Sequence, residues 1–304
     1  MIKEDAMGDY MVRALSRNME VRAFAVSARD TVEKARDCHN SSPVVTAALG
    51  RLLSAGAMMG AMLQGEDKLT LIIRSDGPVE GLTVTADAEG HVKGFALESG
   101  AINEVRKSDG KLDVGGIVGN GTLKVIKDQG LKEPYTGEID LVNGEIGDDL
   151  TYYFAKSEQI PSAVGLGVLM NKNNTVAEAG GFIVQILPGA SEESISTIER
   201  NVAHISSVTG ILREGKSPED LINIVMEGLE PEITERTEVA FKCGCDRDRV
   251  SKVLLSLGEK ELKSLIAEGK DTEIRCQFCN TAYNFTVPEM EEILSQSLSK
   301  SGGK

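Results

Sequence analysis

The chain has 304 residues, 41% hydrophobic and 26% charged, with a formal net charge of −14. These proportions belong to a folded globular protein and exclude wholesale disorder. The acidic balance disfavours nucleic acid as the main partner, and the start Met1-Ile2-Lys3-Glu4-Asp5 is acidic where a secretory signal would be basic and then apolar. Aromatic residues make up only 4%, with no Trp, so the cores must be built from aliphatic side chains and Met.

From the N-terminus, Val21–Val26 alternates as a strand and Thr31–Asp37 reads as a short helix. Ser42-Pro43 supplies an N-cap and a first-turn proline for a helix reaching Leu63, with Gly65 as its stop. Gly50, Gly56 and Gly60 would let neighbouring elements approach this helix closely. Val44–Leu63 is the nearest thing to a membrane span, but Arg51 interrupts it, so a buried core helix is expected and no membrane partner. A β-rich run follows: Leu69–Arg74, Leu82–Ala86, Val92–Leu97, Thr122–Lys127, Gly137–Leu141, Thr151–Lys156, Val164–Met170 and Gly181–Leu187, several apolar on both faces. Gly115–Gly121 lacks the lysine and following helix of a phosphate-binding loop and reads as a turn before a strand.

The segment from Pro188 to Arg236 reads as helical. Ile195, Ile198, Val202 and Ile205 fall on one face, and Ser217-Pro218-Glu219-Asp220 starts a helix that Gly228 ends. It holds ten acidic residues against four basic ones, so its apolar stripes must lie on another domain or await a partner. Beyond it, helices at Val250–Leu257 and Glu259–Glu268, strands at Thr272–Arg275 and Tyr283–Val287, and a helix from Pro288 frame a cysteine module. The expected fold class is α+β: a layered β-sheet and helix N-terminal domain over 1–187, a helical linker over 188–236, a small C-terminal four-cysteine zinc domain over 237–296 and a disordered tail over 297–304.

Four of the five cysteines form two tight pairs, Cys243-Gly244-Cys245 and Cys276-Gln277-Phe278-Cys279, thirty residues apart. Two such pairs provide four thiolates for tetrahedral Zn²⁺, one ion per chain, with iron as the main competitor. Four protein ligands close the coordination shell, which argues against a hydrolytic metal. A module this short has little core, so metal binding would supply much of its folding free energy, on the order of 10 kcal/mol.

By spacing alone a permanent structural ribbon leads. Two features favour a switch: the single spacer in Cys243-Gly244-Cys245, which would allow a strained disulfide, and the module's balanced charge, ten basic against eleven acidic residues over Glu238–Lys304, unlike a nucleic-acid ribbon. Oxidation of the thiolates to disulfides would remove the ligands and the folding energy together. A thiol oxidoreductase using Cys276 and Cys279 lacks the thioredoxin-like strand and helix start. No Gly-x-Ser-x-Gly or His-Glu-x-x-His occurs, His39, His91 and His204 share no metal spacing, and no enzymatic role is expected. Cys38 lies outside the module and reads as a structural thiol.

The cysteine pattern resembles the zinc switch of the redox-regulated 33-kilodalton heat-shock chaperone family. The likeness extends to Asp9-Tyr10 with Arg13-Ala14-Leu15, to Ala48-Leu49-Gly50-Arg51 and Gly77-Pro78, and to Gly119-Asn120-Gly121-Thr122-Leu123 and Tyr135-Thr136-Gly137. It also includes Gly147-Asp148-Asp149-Leu150-Thr151-Tyr152-Tyr153 and Ala179-Gly180-Gly181-Phe182, so it covers nearly the whole chain. The resemblance implies a cytoplasmic, ATP-independent holdase that is inactive when reduced and zinc-bound. It implies that oxidation pairs Cys243 with Cys245 and Cys276 with Cys279, releases zinc, unfolds the C-terminal module and destabilises the linker. The active form would be a homodimer that holds unfolding client proteins.

Overall fold

The computed structural model describes residues 8–106 and 110–301, with side chains through 295. Its N-terminal unit runs to Lys242. In chain order it contains β1 (Tyr10–Ser16), β2 (Val21–Ser27), α1 (Arg29–His39), α2 (Pro43–Gly60), β3 (Lys68–Ser75), β4 (Gly81–Asp87) and β5 (His91–Ala96). Then come α3 (Val114–Val118), β6 (Gly121–Asp128), β7 (Tyr135–Asp140), α4 (Gly147–Tyr153) continued by a π-helical turn (Phe154–Glu158), β8 (Ser162–Met170) and β9 (Val176–Ile186). Three helices, α5 (Glu192–Ala203), α6 (Val208–Arg213) and α7 (Pro218–Val225), lead to β10 (Pro231–Glu238) and β11 (Ala240–Phe241).

The unit is organised around α2. Ser42 Oγ accepts the Val45 N–H at 3.3 Å and Pro43 fills the first turn, as the sequence predicts. A five-stranded sheet, β10-β1-β2-β9-β8, packs on one side of the helix and a six-stranded sheet, β11-β5-β4-β3-β6-β7, on the other. Nearly every residue of α2 is therefore buried. The two sheets approach because glycines leave room. A Cβ on Gly50 would stand 2.6 Å from Val32 Cγ1 and 2.8 Å from Val168 Cγ2, and one on Gly56 would stand 2.7 Å from Val84 Cγ1. By length and composition α2 could cross a membrane, but 89% of it is buried inside the fold.

The helical segment covers the outer face of the five-stranded sheet. Leu221, Ile222 and Val225 of α7 pack with Val12, Ala23 and Phe182 in a second core, which gives the apolar stripes their partner. Ser217 and Asp220 form a reciprocal capping box at the start of α7.

Several expectations change. Thr151–Lys156 is helical rather than a strand. Its β-branched and aromatic residues favour a strand, but Asp149 accepts the Ile146 N–H at 2.8 Å and the Val142 N–H at 2.7 Å, which starts α4. Leu150, Tyr153 and Phe154 then fall on one buried helical face. Gly115 to Val118 lie in the short α3, capped by Asp113, before Gly119 turns the chain toward β6 at φ 74°. The long helix α2 stops at Gly60 rather than Leu63.

The stretch from Pro231 to Glu238 is a strand rather than part of a helical linker. Its register runs along β1 from Tyr10↔Glu238 to Ser16↔Pro231, so the backbone ladder overrides a charged sequence that has little strand signal. Val239, within the span expected for the zinc domain, is buried in the N-terminal unit, where its N–H donates to Asp9 O at 2.9 Å. β11 runs parallel to β5, and the Lys242 N–H donates to Val92 O at 3.0 Å. The chain thus divides between Lys242 and Cys243, six residues after the expected boundary.

The C-terminal unit contains α8 (Arg247–Ser256), α9 (Glu259–Ala267), β12 (Thr272–Arg275), β13 (Ala282–Phe285) and α10 (Val287–Ser301). Its buried core is small: Val250, Leu254, Leu262, Phe285 and Met290. α10 continues through residues 297–301 of the expected tail, which lacks a helix breaker before Gly302; residues 302–304 lie outside the described residues.

Candidate metal centre

Two turns in the C-terminal unit present the four cysteines. Cys243-Gly244-Cys245 precedes α8, whose N-cap Asp246 accepts the Arg249 N–H at 2.7 Å. The Arg249 guanidinium reaches back to donate to the Gly244 carbonyl at 2.6 Å, fixing the turn between the first two sulfurs. The second pair sits on a knuckle between β12 and β13. Cys276 N–H donates to Thr281 O at 3.0 Å and Asn280 N–H donates to Cys276 O at 2.8 Å. Asn280 closes the knuckle in the left-handed region, φ 55°, a conformation that Asn tolerates better than most residues.

The four Sγ atoms, with all ligand atoms within 4.8 Å of one another, form one cluster. Cys243 Sγ lies 3.6 Å from Cys276 Sγ, and Cys245 Sγ 3.3 Å from Cys279 Sγ. These separations are too long for a disulfide, and all four thiols are free. They are close to the edge of a sulfur tetrahedron around zinc, about 3.8 Å for Zn–S bonds of about 2.3 Å. The donor set and its spacing therefore fit a single metal ion.

Electrostatics sets the cost of forming four thiolates without a metal. Burial raises the Cys243 and Cys245 thiols, and this outweighs the lowering hydrogen bonds that the Cys245 N–H gives Cys243 and the Tyr283 hydroxyl gives Cys245. Burial also opposes ionisation of Cys279, but hydrogen bonds from the Thr281 hydroxyl and N–H outweigh it and lower that thiol to about 7. The Tyr283 hydroxyl donates to Cys245 Sγ at 3.2 Å, and that bond with burial pushes the phenol up to about 12. Thiolates crowded this closely need a cation to neutralise them.

Thr281, Tyr283, Asn280 and Arg249 support the cysteines, yet only their positions near the motif hint at it in the sequence. Arg247 joins the two halves: its guanidinium donates to Asn284 O at 2.8 Å and Glu289 Oε1 at 2.7 Å and lies 4.5 Å from the Phe285 ring centroid. Cys38 is remote from the cluster in sequence and lies on α1.

A second cluster, Asp87, Glu89 and His91, falls at the β4–β5 turn. The sequence predicts His91 to be solvated there. Instead its Nδ1 lies 3.4 Å from Asp87 and 3.3 Å from Glu89, while Lys242 Nζ lies 3.1 Å from its Nε2. Lys68 Nζ is 3.2 Å from Asp87. Two ammonium groups already serve these acceptors, so the cluster reads as a polar tie on the segment before Cys243 rather than a metal site.

Comparison with known proteins agrees with this geometry. A family model described as Hsp33 protein matches residues 9–286. The 33 kDa chaperonin of Agathobacter rectalis is 52% identical over 94% of this chain and 100% of its own length. That of Lachnoclostridium phytofermentans is 51% identical over 96% and 100%. The crystal structure of the 33 kDa chaperonin, a heat shock protein 33 homolog, from Thermotoga maritima superposes with a TM-score of 0.90 at 34% identity, covering 96% of this chain and all of that one.

Proposed function

This chain belongs to the Hsp33 protein family, and on that premise we propose that it is a redox-regulated, ATP-independent holdase chaperone of the cytoplasm. Its relatives are named chaperonins, which supports a binding rather than a catalytic role. The observation that carries the redox part is the cluster of four free sulfurs in a unit whose buried core, among the described residues, is five side chains. Cys243, Cys245, Cys276 and Cys279 hold one Zn²⁺ in the reduced, inactive form. The ion neutralises the four thiolates and staples the two turns together.

Oxidation acts on the sulfurs in balanced steps. Peroxide takes a thiolate to a sulfenic acid and releases hydroxide; a neighbouring thiol then displaces water to close a disulfide. Cys243 pairs with Cys245 and Cys276 with Cys279. The folded unit holds crossed sulfur contacts, Cys243 with Cys276 at 3.6 Å and Cys245 with Cys279 at 3.3 Å. Crossed disulfides would keep the two turns stapled, whereas pairing within each motif frees them and survives unfolding, because one or two spacers hold those sulfurs together. With all four thiolates converted to disulfides the cysteines would no longer hold zinc, the C-terminal unit unfolds, and the helical segment loosens. Release of α5–α7 bares an apolar sheet face that includes Val12, Ala23 and Phe182. Unfolding clients bind the exposed surface, and the active form is a homodimer that prevents aggregation under oxidative and heat stress.

Light scattering from a heat-unfolding client tests this role. The peroxide-treated, zinc-depleted chain is expected to suppress aggregation, and the reduced zinc-loaded chain to leave it nearly unchanged. Equal suppression by both forms would sink the switch. Zinc retained under mild oxidant, with no gain in suppression, would return the site to a permanent ribbon.

A further inference from the structure

In the zinc-loaded, reduced form proposed above all four sulfurs are thiolates, so protonation does not separate them as targets of an oxidant. Exposure does not separate them either, since all four cysteines are half-buried. What differs is the set of hydrogen-bond donors around each sulfur. The Tyr283 hydroxyl donates to Cys245 Sγ at 3.2 Å, and Thr281 Oγ1 lies 3.2 Å from Cys279 Sγ. Among the described residues no side-chain hydroxyl pairs with Cys243 or Cys276. Cys243 takes only the backbone N–H of Cys245, which any residue but proline at that position would supply.

Local structure explains both hydroxyl contacts. Side chains alternate along β13, so Tyr283 and Phe285 share a face. Phe285 is buried in the small core, and the Tyr283 ring packs against that core and carries its hydroxyl across to the first cysteine turn. Thr281 follows Asn280, whose positive φ closes the knuckle. The Thr281 carbonyl takes the Cys276 N–H at 3.0 Å while its hydroxyl reaches Cys279. A thiolate has no proton to give, so each hydroxyl must be the donor.

A hydrogen bond to a thiolate draws on the electron pair that attacks an oxidant. In peroxide attack that pair forms the S–O bond, the O–O bond breaks, the sulfur becomes a sulfenic acid and hydroxide leaves. The hydrogen bond is strongest to the full negative charge and weakens as that charge passes to the leaving oxygen, so it stabilises the thiolate more than the transition state. Nucleophilicity falls with sulfur basicity in the same sense.

We propose that the Tyr283 and Thr281 hydroxyls set the oxidation threshold of the cluster, each making its own sulfur, Cys245 or Cys279, a slower nucleophile. The inference rests on the zinc-thiolate switch proposed above and names what keeps it closed to mild oxidant. Pairing within either motif uses one hydroxyl-bonded sulfur, as the thiolate that is oxidised or as the one that then attacks the sulfenic acid. Each disulfide is therefore retarded whichever sulfur is oxidised first.

The test uses the full zinc-loaded chain and iodoacetamide limited to single hits, with the adduct at each cysteine counted by peptide mass spectrometry. Alkylation forms an S–C bond and expels iodide, so it reads nucleophilicity without oxidation. Tyr283→Phe keeps the ring and is expected to speed alkylation of Cys245 about fivefold while Cys279 keeps the parent rate. Thr281→Val is expected to do the reverse, and Thr281→Ser, which retains a hydroxyl, to restore the parent rate. A purely structural role would speed all four cysteines together. In the double variant, Tyr283→Phe with Thr281→Val, peroxide is expected to release zinc about fivefold faster. If Tyr283→Phe loads no zinc, the two Thr281 variants decide alone. Even acceleration of all four cysteines, no acceleration of the paired sulfur, or an unchanged rate of zinc release where the parent does release it would overturn the proposal and leave the switch standing. If each substitution speeds its own sulfur but peroxide leaves zinc bound to the parent, the switch fails and the effect of each hydroxyl on its sulfur stands.

Discussion

A zinc-loaded, reduced chain stripped by a strong chelator is expected to lose hydrogen-exchange protection from Cys243 onward, while the two large sheets keep theirs. The cause is the size of the cores. Among the described residues, Val250, Leu254, Leu262, Phe285 and Met290 are the buried hydrophobic residues of the C-terminal unit, against the extended core around α2 in the N-terminal one. Units this small need a staple, and a structural zinc site contributes on the order of 10 kcal/mol. Without it the raised Cys243 and Cys245 thiols stay protonated at neutral pH and the turns have nothing to converge on. The loss should begin sharply after Lys242, whose N–H is held by Val92 O in the N-terminal unit. Protection that survives chelation across α8–α10 would show that the five-residue core suffices and the metal is dispensable for folding.

Gly50→Leu is expected to destabilise the N-terminal unit by about 3 kcal/mol or more, toward the upper range for overpacking. The glycine sits where α2 is pinched between Val32 of α1 and Val168 of β8, and a Cβ would already stand 2.6 and 2.8 Å from them. Neither neighbour can swing clear, because each is a β-branched side chain with restricted χ1 on a packed element. A loss of that size lowers Tm by about 6–12 °C in a domain of this size. Gly100→Ala is the control: nothing lies within 4 Å of its Cβ position, so a change within about 0.5 kcal/mol is expected. Unchanged thermal unfolding for Gly50→Leu would mean that the sheets can move apart around α2.

Much of this was legible in the sequence, for physical reasons. The start of α2 is written in Ser42-Pro43, and the start of α7 in Ser217-Pro218-Glu219-Asp220, because caps are local chemistry. The cysteine cluster was legible because ligand spacing within each pair is local too, and the geometry then brings the two pairs together. What failed depended on distant partners. β10 is charged and has an exposed Ile233, and only the ladder to β1 makes it a strand. α4 was hidden by the β propensity of Thr151-Tyr152-Tyr153 and revealed by an Asp149 carboxylate gathering loop N–H groups. Thr281 and Tyr283 carry no motif; their role exists only once the knuckle is folded beside the first cysteine turn.

The central claim is that oxidation of the four clustered sulfurs and loss of the metal are one event. Peroxide titration of the zinc-loaded chain, with free thiols and released zinc counted in the same sample, tests it most directly. Of the five cysteines, the four in the cluster should disappear in step with release of one zinc per chain, leaving Cys38 as the remaining thiol. Thiol loss at the cluster with zinc still bound, or zinc release while those four thiols stay free, would contradict it.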